Sequence, residues 1–184
     1  MQEGIAKEVE RGRFLAKHGA AEIWNWEGPA SELRWACRVK MLSNHLRSEM
    51  GMLELGCGTG YFTRELARSG ADIVAIDVSA GLLEIAQADF PAENVRYEVQ
   101  NASALTDPNG VFDSVVGSSV LHHLEINEAL REIYRVLKAG GTIYFTKPNM
   151  LNPPQLNQQL DTGSKPGYLR KHWHWVQQTS SSTR

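Results

Sequence analysis

Met52-Leu53-Glu54-Leu55-Gly56-Cys57-Gly58-Thr59-Gly60 is the stretch that decides the fold. A short apolar run passes straight into three glycines at alternate positions, and Thr59 to Ser69 then reads as a helix, with Phe62 and Leu66 one turn apart and Gly70 at its end. A glycine turn between a strand and its helix lets the backbone approach a ligand closely, and the free amides at the helix start favour a carboxylate or phosphate. Spacing chooses among the folds that use this device. A dinucleotide fingerprint needs glycines at relative positions one, three and six, yet the sixth place is Tyr61 counted from Gly56 and Thr63 counted from Gly58. The phosphate-loop ending Gly-Lys-Ser/Thr is absent as well.

Strand and helix alternate outward from this turn. Asp72-Ile73-Val74-Ala75-Ile76-Asp77 is a nearly continuous apolar strand of the kind buried on both faces of a parallel sheet, and Ser79 is expected to cap a helix carrying Leu82, Leu83, Ile85 and Ala86. Val95 to Val99 and Phe112 to Val116 read as the third and fourth strands. From Glu125 to Lys138 the residues Ile126, Leu130, Ile133, Tyr134 and Leu137 trace a helix stripe, closed by Gly140-Gly141 before a fifth strand, Thr142 to Thr146. The expected architecture is α/β, a doubly wound, mostly parallel, Rossmann-like sheet in the order 3-2-1-4-5. Two helices precede it: a charged one from about Ile5 to His18, and one capped by Ser31 with Trp35, Val39, Leu42 and Leu46 on one stripe. They are expected to cover the substrate side. Residues 1–48 thus read as an N-terminal helical cap, 49–148 as a cofactor-binding core and 149–184 as an irregular tail within a single domain. The tail holds Pro148, Pro153, Pro154 and Pro166 and ends in the polar run Thr179-Ser180-Ser181-Ser182-Thr183.

Composition narrows the partners. A chain of 184 residues with 42% hydrophobic content can bury one sizeable core. With 19 basic and 21 acidic residues and a net charge of -2 there is no electrostatic reason to expect a nucleic acid. Cys37 and Cys57 match no zinc spacing and read as reduced thiols, so no metal is expected and a cytoplasmic location is. No stretch approaches the roughly 18 apolar residues of a membrane span.

Leu53-Glu54-Leu55-Gly56-Cys57-Gly58-Thr59-Gly60 resembles the first motif of class I S-adenosylmethionine-dependent methyltransferases, and further segments agree with it. Asp77 ends the second strand, where that family keeps an acid for the ribose hydroxyls. Gln100-Asn101-Ala102 ends the third, where the family usually has aspartate followed by alanine for the adenine edge. Phe112-Asp113-Ser114-Val115-Val116 and Val120-Leu121-His122-His123-Leu124 resemble the fourth-strand segment. Leu137-Lys138-Ala139-Gly140-Gly141 resembles the turn before the fifth, with Ala139 where proline is commoner. The resemblance covers about Met50 to Pro148.

It implies S-adenosylmethionine as cofactor, S-adenosylhomocysteine as product, and a methyl group passed by in-line displacement to a nucleophile, expected to be a small molecule. The alternative is a truncated or degenerate cofactor-binding module without turnover. Carried over by position, Gly56, Cys57, Gly58 and Gly60 form the backbone cradle, and Glu54 compensates the positive charge of ammonium and sulfonium. Asp77 holds the ribose diol. Val78 faces the adenine ring, Asn101 and Ala102 meet its edge, and Ser118 with Ser119 lines the methionine end. Competing readings make Asp77 a solvated strand-end acid and Glu54 a cap for helix amides. The catalytic group is unknown; His122 and His123 are the candidates for a proton acceptor, against a plainer role at a loop-to-helix junction.

Other features carry less. Trp24, Trp26 and Arg34 are candidates to close the pocket, with core packing as the competing role for each tryptophan. Asn152-Pro153-Pro154-Gln155 is similar to a motif of amino-group methyltransferases, but it follows the wrong strand and lacks the final aromatic, so a turn is expected. His172-Trp173-His174-Trp175 lacks a third metal ligand. Cys57 beside helix amides has two readings, a thiol of lowered pKa or a small residue tolerated beside the cofactor. The family also continues into a sixth strand and an antiparallel seventh, and no segment of that pattern follows Lys147. A fifth-strand edge without its usual neighbours is the expectation that follows, with three readings: irregular shielding by the tail, pairing with a second copy of the chain, or a truncated form of the sequence.

Overall fold

The computed structural model describes residues 2–18 and 29–146. Trp24, Trp26 and everything after Thr146, with the Asn-Pro-Pro and His-Trp segments and any further strands, lie outside the described residues.

Helix α1 spans Gln2–His18 and α2 spans Pro29–Ser43. Pro29 opens α2, where its missing amide costs nothing and its fixed φ already suits a helix, so Ser31 falls inside the first turn and is not the cap expected of it. The core then runs β1 Gly51–Leu55, α3 Tyr61–Ala67, β2 Asp72–Asp77, α4 Ala80–Asp89, β3 Val95–Val99, β4 Phe112–Ser118, a 3-10 turn Leu121–His123, α5 Ile126–Val136 and β5 Leu137–Thr146. All strand pairs are parallel and the order is β3-β2-β1-β4-β5, as the alternation predicts. The order reverses beside β1, so the carboxyl ends of β1, β2 and β4 frame the crevice where open α/β sheets bind ligands.

Alternating side chains of the central strands supply both core layers. Leu53, Leu55, Val74, Ile76 and Val115 face Ile133 and Val136 of α5. Met52, Ile73, Ala75 and Val116 face Leu42, Leu66 and Leu83 on the opposite side. Glu54 lies on β1 between Leu53 and Leu55, so the pleat turns it, like Met52, toward the side that carries α3. Past the end of α2, His45 stacks on Tyr144 at 3.9 Å and its Nε2 lies 2.7 Å from Ser114 Oγ, fastening that turn to the sheet.

Two expectations for α5 and β5 need correction. The helix stripe was placed on Ile126, Leu130, Ile133, Tyr134 and Leu137, but the buried residues are Ala129, Ile133 and Val136. Ile126, Leu130 and Tyr134 are exposed, Tyr134 to 83%. The buried set lies about a quarter turn round the helix from the predicted one, a displacement that a pattern of large residues hides because Ala129 is small. The helix also stops at Val136 and does not reach Lys138. The Gly110 and Val111 amides take the Arg135 and Val136 carbonyls at 2.9 and 2.8 Å, and Leu137 already pairs with Phe112. The register with β4 then shifts before Thr142 pairs with Ser114, with Gly140 in the left-handed region at φ 79°.

Candidate functional site

The turn after β1 carries Gly56, Gly58 and Gly60 at φ 66°, 56° and 79°, all in the region that favours glycine. Their surroundings differ. A Cβ on Gly56 would meet Val120 Cγ2 at 2.5 Å, and one on Gly60 would meet Ala86 Cβ at 3.0 Å, so both glycines are fixed by packing as well as by φ. Around Gly58 nothing lies within 4 Å of that position. The middle glycine therefore opens onto free space at the end of β1, and a ligand can lie against its backbone there.

Asp77 locks this turn to the end of β2. Its Oδ2 accepts the Gly58 amide at 3.0 Å and its Oδ1 accepts the Ser79 amide at 2.9 Å. The Cys57 amide reaches the Ile76 carbonyl at 3.0 Å. Burial raises the Asp77 carboxyl above its ordinary value, the Ser79 and Gly58 amides pull it back, and Glu8 of α1 pushes it up again. The side chain is half-buried, so it is more than a solvated strand-end acid and still reachable.

Glu54 is 3% exposed and its Oε2 accepts the Thr63 hydroxyl at 2.6 Å. Desolvation pushes its carboxyl up to about 7, against the Thr63 hydrogen bond and with help from Asp77. That partner is a side-chain hydroxyl in the first turn of α3 and not one of the helix amides of the cap reading. Nothing in the sequence paired Thr63 with Glu54. Cys57 is buried, and burial together with Glu54 and Asp77 drives its thiol well above the ordinary value. The lowered-pKa reading of Cys57 is thereby corrected: desolvation, with Glu54 and Asp77 nearby, outweighs its backbone hydrogen bond.

The remaining candidates ring the same end of the sheet. Val78 is half-buried beside Asp77. Asn101 Oδ1 accepts the Ser103 amide at 2.9 Å, which closes a local turn and occupies its side-chain oxygen. Ala102 is buried, and the Gln100 amide reaches the Asp77 carbonyl at 3.2 Å, joining the ends of β2 and β3. Ser118 Oγ accepts from the Thr146 hydroxyl at 3.0 Å. Ser119 holds φ 59°, unusual for a residue with a Cβ, at the point where β4 turns toward the site. His122 and His123 stand with ring centroids 3.9 Å apart, and His123 Nδ1 lies 2.9 Å from Glu8 Oε1. Glu8 had no signal in the sequence, because its partner is 115 positions away. Ser79 holds the N-cap position of α4 but makes no side-chain cap bond, contrary to expectation, and its Oγ is buried without a hydrogen-bond partner.

Arg34 is an exposed residue of α2. Among the described residues no helix is long and apolar enough to cross a membrane, and no group of three or more His, Cys, Asp or Glu is placed to hold a metal ion.

Residues 53–145, half of the chain, match the family described as "Methyltransferase domain". The chain is 32% identical over 155 residues to a ubiquinone/menaquinone biosynthesis C-methyltransferase of Pectobacterium atrosepticum, covering 78% of this chain and 57% of that one. Among solved structures it is similar to an S-adenosylmethionine-dependent methyltransferase of Mesorhizobium loti, with a TM-score of 0.55, 28% identity, and 62% and 53% of the two chains covered. It is similar also to the [4+2]-cyclase SpnF, with a TM-score of 0.56, 28% identity, and 62% and 44% covered. The chain thus spans about half the length of these proteins.

Proposed function

This chain belongs to the class I S-adenosylmethionine-dependent methyltransferase family, and on that premise we propose that it binds S-adenosylmethionine and passes its methyl group to a small organic acceptor. The observation that carries the reading is the open Gly58 backbone beside an Asp77 carboxylate that fixes the turn with two amide bonds. The residues fit a nucleoside of this kind: three left-handed glycines leave a backbone cradle, and a half-buried acid stands one strand away. The bound sulfonium supplies an electrophilic methyl; everything else is binding and alignment by the chain.

Asp77 keeps lone pairs free after its two amide bonds and accepts from the ribose diol. Val78 offers an apolar face, Asn101 its NH2, and Ala102 its backbone amide to the adenine. Gly56, Cys57 and Gly60 shape the turn, and Ser118 lines the far end. Glu54 is neutral to about pH 7 when alone, and it supplies a carboxylate once a positive charge is brought alongside, since that charge favours its ionised form. His123, oriented by Glu8, and His122 are the groups placed to accept a proton from an acceptor.

The Pectobacterium relative is named a C-methyltransferase of ubiquinone and menaquinone biosynthesis, which makes a carbon nucleophile on an aromatic ring the first class of acceptor to try. Incubation with methyl-labelled S-adenosylmethionine and a panel of phenols, catechols and small amines should yield a labelled product and S-adenosylhomocysteine in equal amounts. Cofactor binding without product across a whole metabolite extract would turn the assignment to the second reading, a truncated or degenerate cofactor-binding module without turnover.

A further inference from the structure

We infer that the outward face of α2 is a seat for an anionic lipid surface, on which the chain docks with this helix lying in the plane of the headgroups. The pitch of the helix puts Leu33, Cys37 and Met41, each four residues from the next, in one row. The row that faces the protein is a different one. Trp35 lies against Phe62 of α3 with ring centroids 4.1 Å apart, and Leu42 joins the buried cluster of Met52, Leu66 and Val116. One apolar row suffices to anchor a surface helix, and the opposite side is ordinarily polar. Leu33 is nevertheless 67% exposed and Met41 49%, with Cys37 exposed between them. A second apolar row therefore points away from the core.

The residues beside that row decide what it fits. At about 100° per residue, Arg34 and Arg38 flank it on one side and Lys40 on the other, while Glu32, the acid of this helix, lies about 140° round from Cys37. A chain of net charge -2 thus gathers three cations and no carboxylate on this face. Among the described residues, Arg38 and Lys40 enter no ion pair. Burial and the neighbouring Arg34 pull the Arg38 guanidinium below its ordinary value, so its charged form gains from an arriving anion. Apolar side chains that enter the acyl boundary, with long cations beside them that reach the phosphates, are the design of a helix seated in a lipid interface. Such a seat needs no membrane-spanning length. A second copy of the helix fits badly, because an antiparallel pair crossing at Cys37 sets Arg34 against Lys40, and a parallel pair sets each cation against itself.

Flotation of the full chain with vesicles made of equal parts phosphatidylcholine and phosphatidylglycerol tests the seat. At low salt the chain should float with them, and bind about a hundredfold less tightly to phosphatidylcholine alone. Leu33→Ser combined with Met41→Ser should weaken binding to the anionic vesicles about tenfold, and Lys40→Glu should weaken it by a similar factor. These side chains are exposed, so both variants should melt like the unaltered chain. Should the double change melt early, Lys40→Glu and the comparison of the two lipids decide alone. No flotation on anionic vesicles, or equal binding by the unaltered chain and the variants, overturns the seat. Dimerisation in sedimentation that the double change abolishes overturns it too, since the row then belongs to a second copy.

Discussion

Glu54 is held in a place where water does not reach it, and its behaviour with pH follows from that. The folded chain keeps the Glu54 proton to about pH 7, whereas an unfolded glutamate releases it near 4.5, so the folded state binds more protons between those values. Stability contributed by this residue is present below pH 4.5 and is lost as pH rises through 7, a change on the order of 3 kcal/mol. Urea unfolding between pH 4.5 and 7.5 should show that slope, and Glu54→Gln should flatten it; an unchanged slope in the variant would mean that another group titrates. The glycines separate packing from access. Gly56→Ala meets Val120 and should cost stability on the order of 1–3 kcal/mol, while Gly58→Ala has room and pays only for its left-handed φ, about 1 kcal/mol. Thermal melts and calorimetric titration together should show Gly58→Ala folded but weakened in S-adenosylhomocysteine binding. At this scale the cradle was legible, because glycine spacing and strand-end acids are local. Thr63, Glu8 and Val120 were not, since each acts on a residue brought close only by folding.

α5 shows where an element escapes its own pattern. Its large apolar residues mark one stripe, but the sheet takes the face of Ala129, Ile133 and Val136, so most of the stripe stands in solvent. Periodicity located the helix and missed its face by a quarter turn, because a small residue such as Ala129 is buried without registering as hydrophobic bulk. Ile133→Ala should therefore destabilise the fold by about 2–5 kcal/mol, and Tyr134→Ala by no more than about 0.5 kcal/mol, in the same denaturant series. A Tyr134 effect as large as that of Ile133 would show that its exposed face is covered in solution. The boundary between α5 and β5 was unreadable for a related reason. Gly140-Gly141 marks a turn in any sequence, and only pairing of Leu137 with Phe112 converts it into an irregularity within a strand.

At the scale of the molecule, the order β3-β2-β1-β4-β5 is what gathers the site. Alternation of apolar runs with glycine-ended helices foretold that order, since right-handed crossovers leave few other windings. The same order places β2 and β4 on either side of the glycine turn, so Asp77 and His123 come to flank one crevice although 46 positions separate them in the chain. The N-terminal helices are expected on the substrate side from their place in the chain, but the contacts of Gly12 with Ser79 and of Glu8 with His123 follow no repeating pattern and had no signal in the sequence. The central claim is that this crevice holds a sulfonium nucleoside through the Asp77 carboxylate. Calorimetric titration of the folded chain and of Asp77→Asn with S-adenosylhomocysteine tests it most directly. The account predicts one saturable site in the unaltered chain and an affinity lowered about tenfold to a hundredfold in the variant; no heat in the first, or equal affinity in the two, contradicts it.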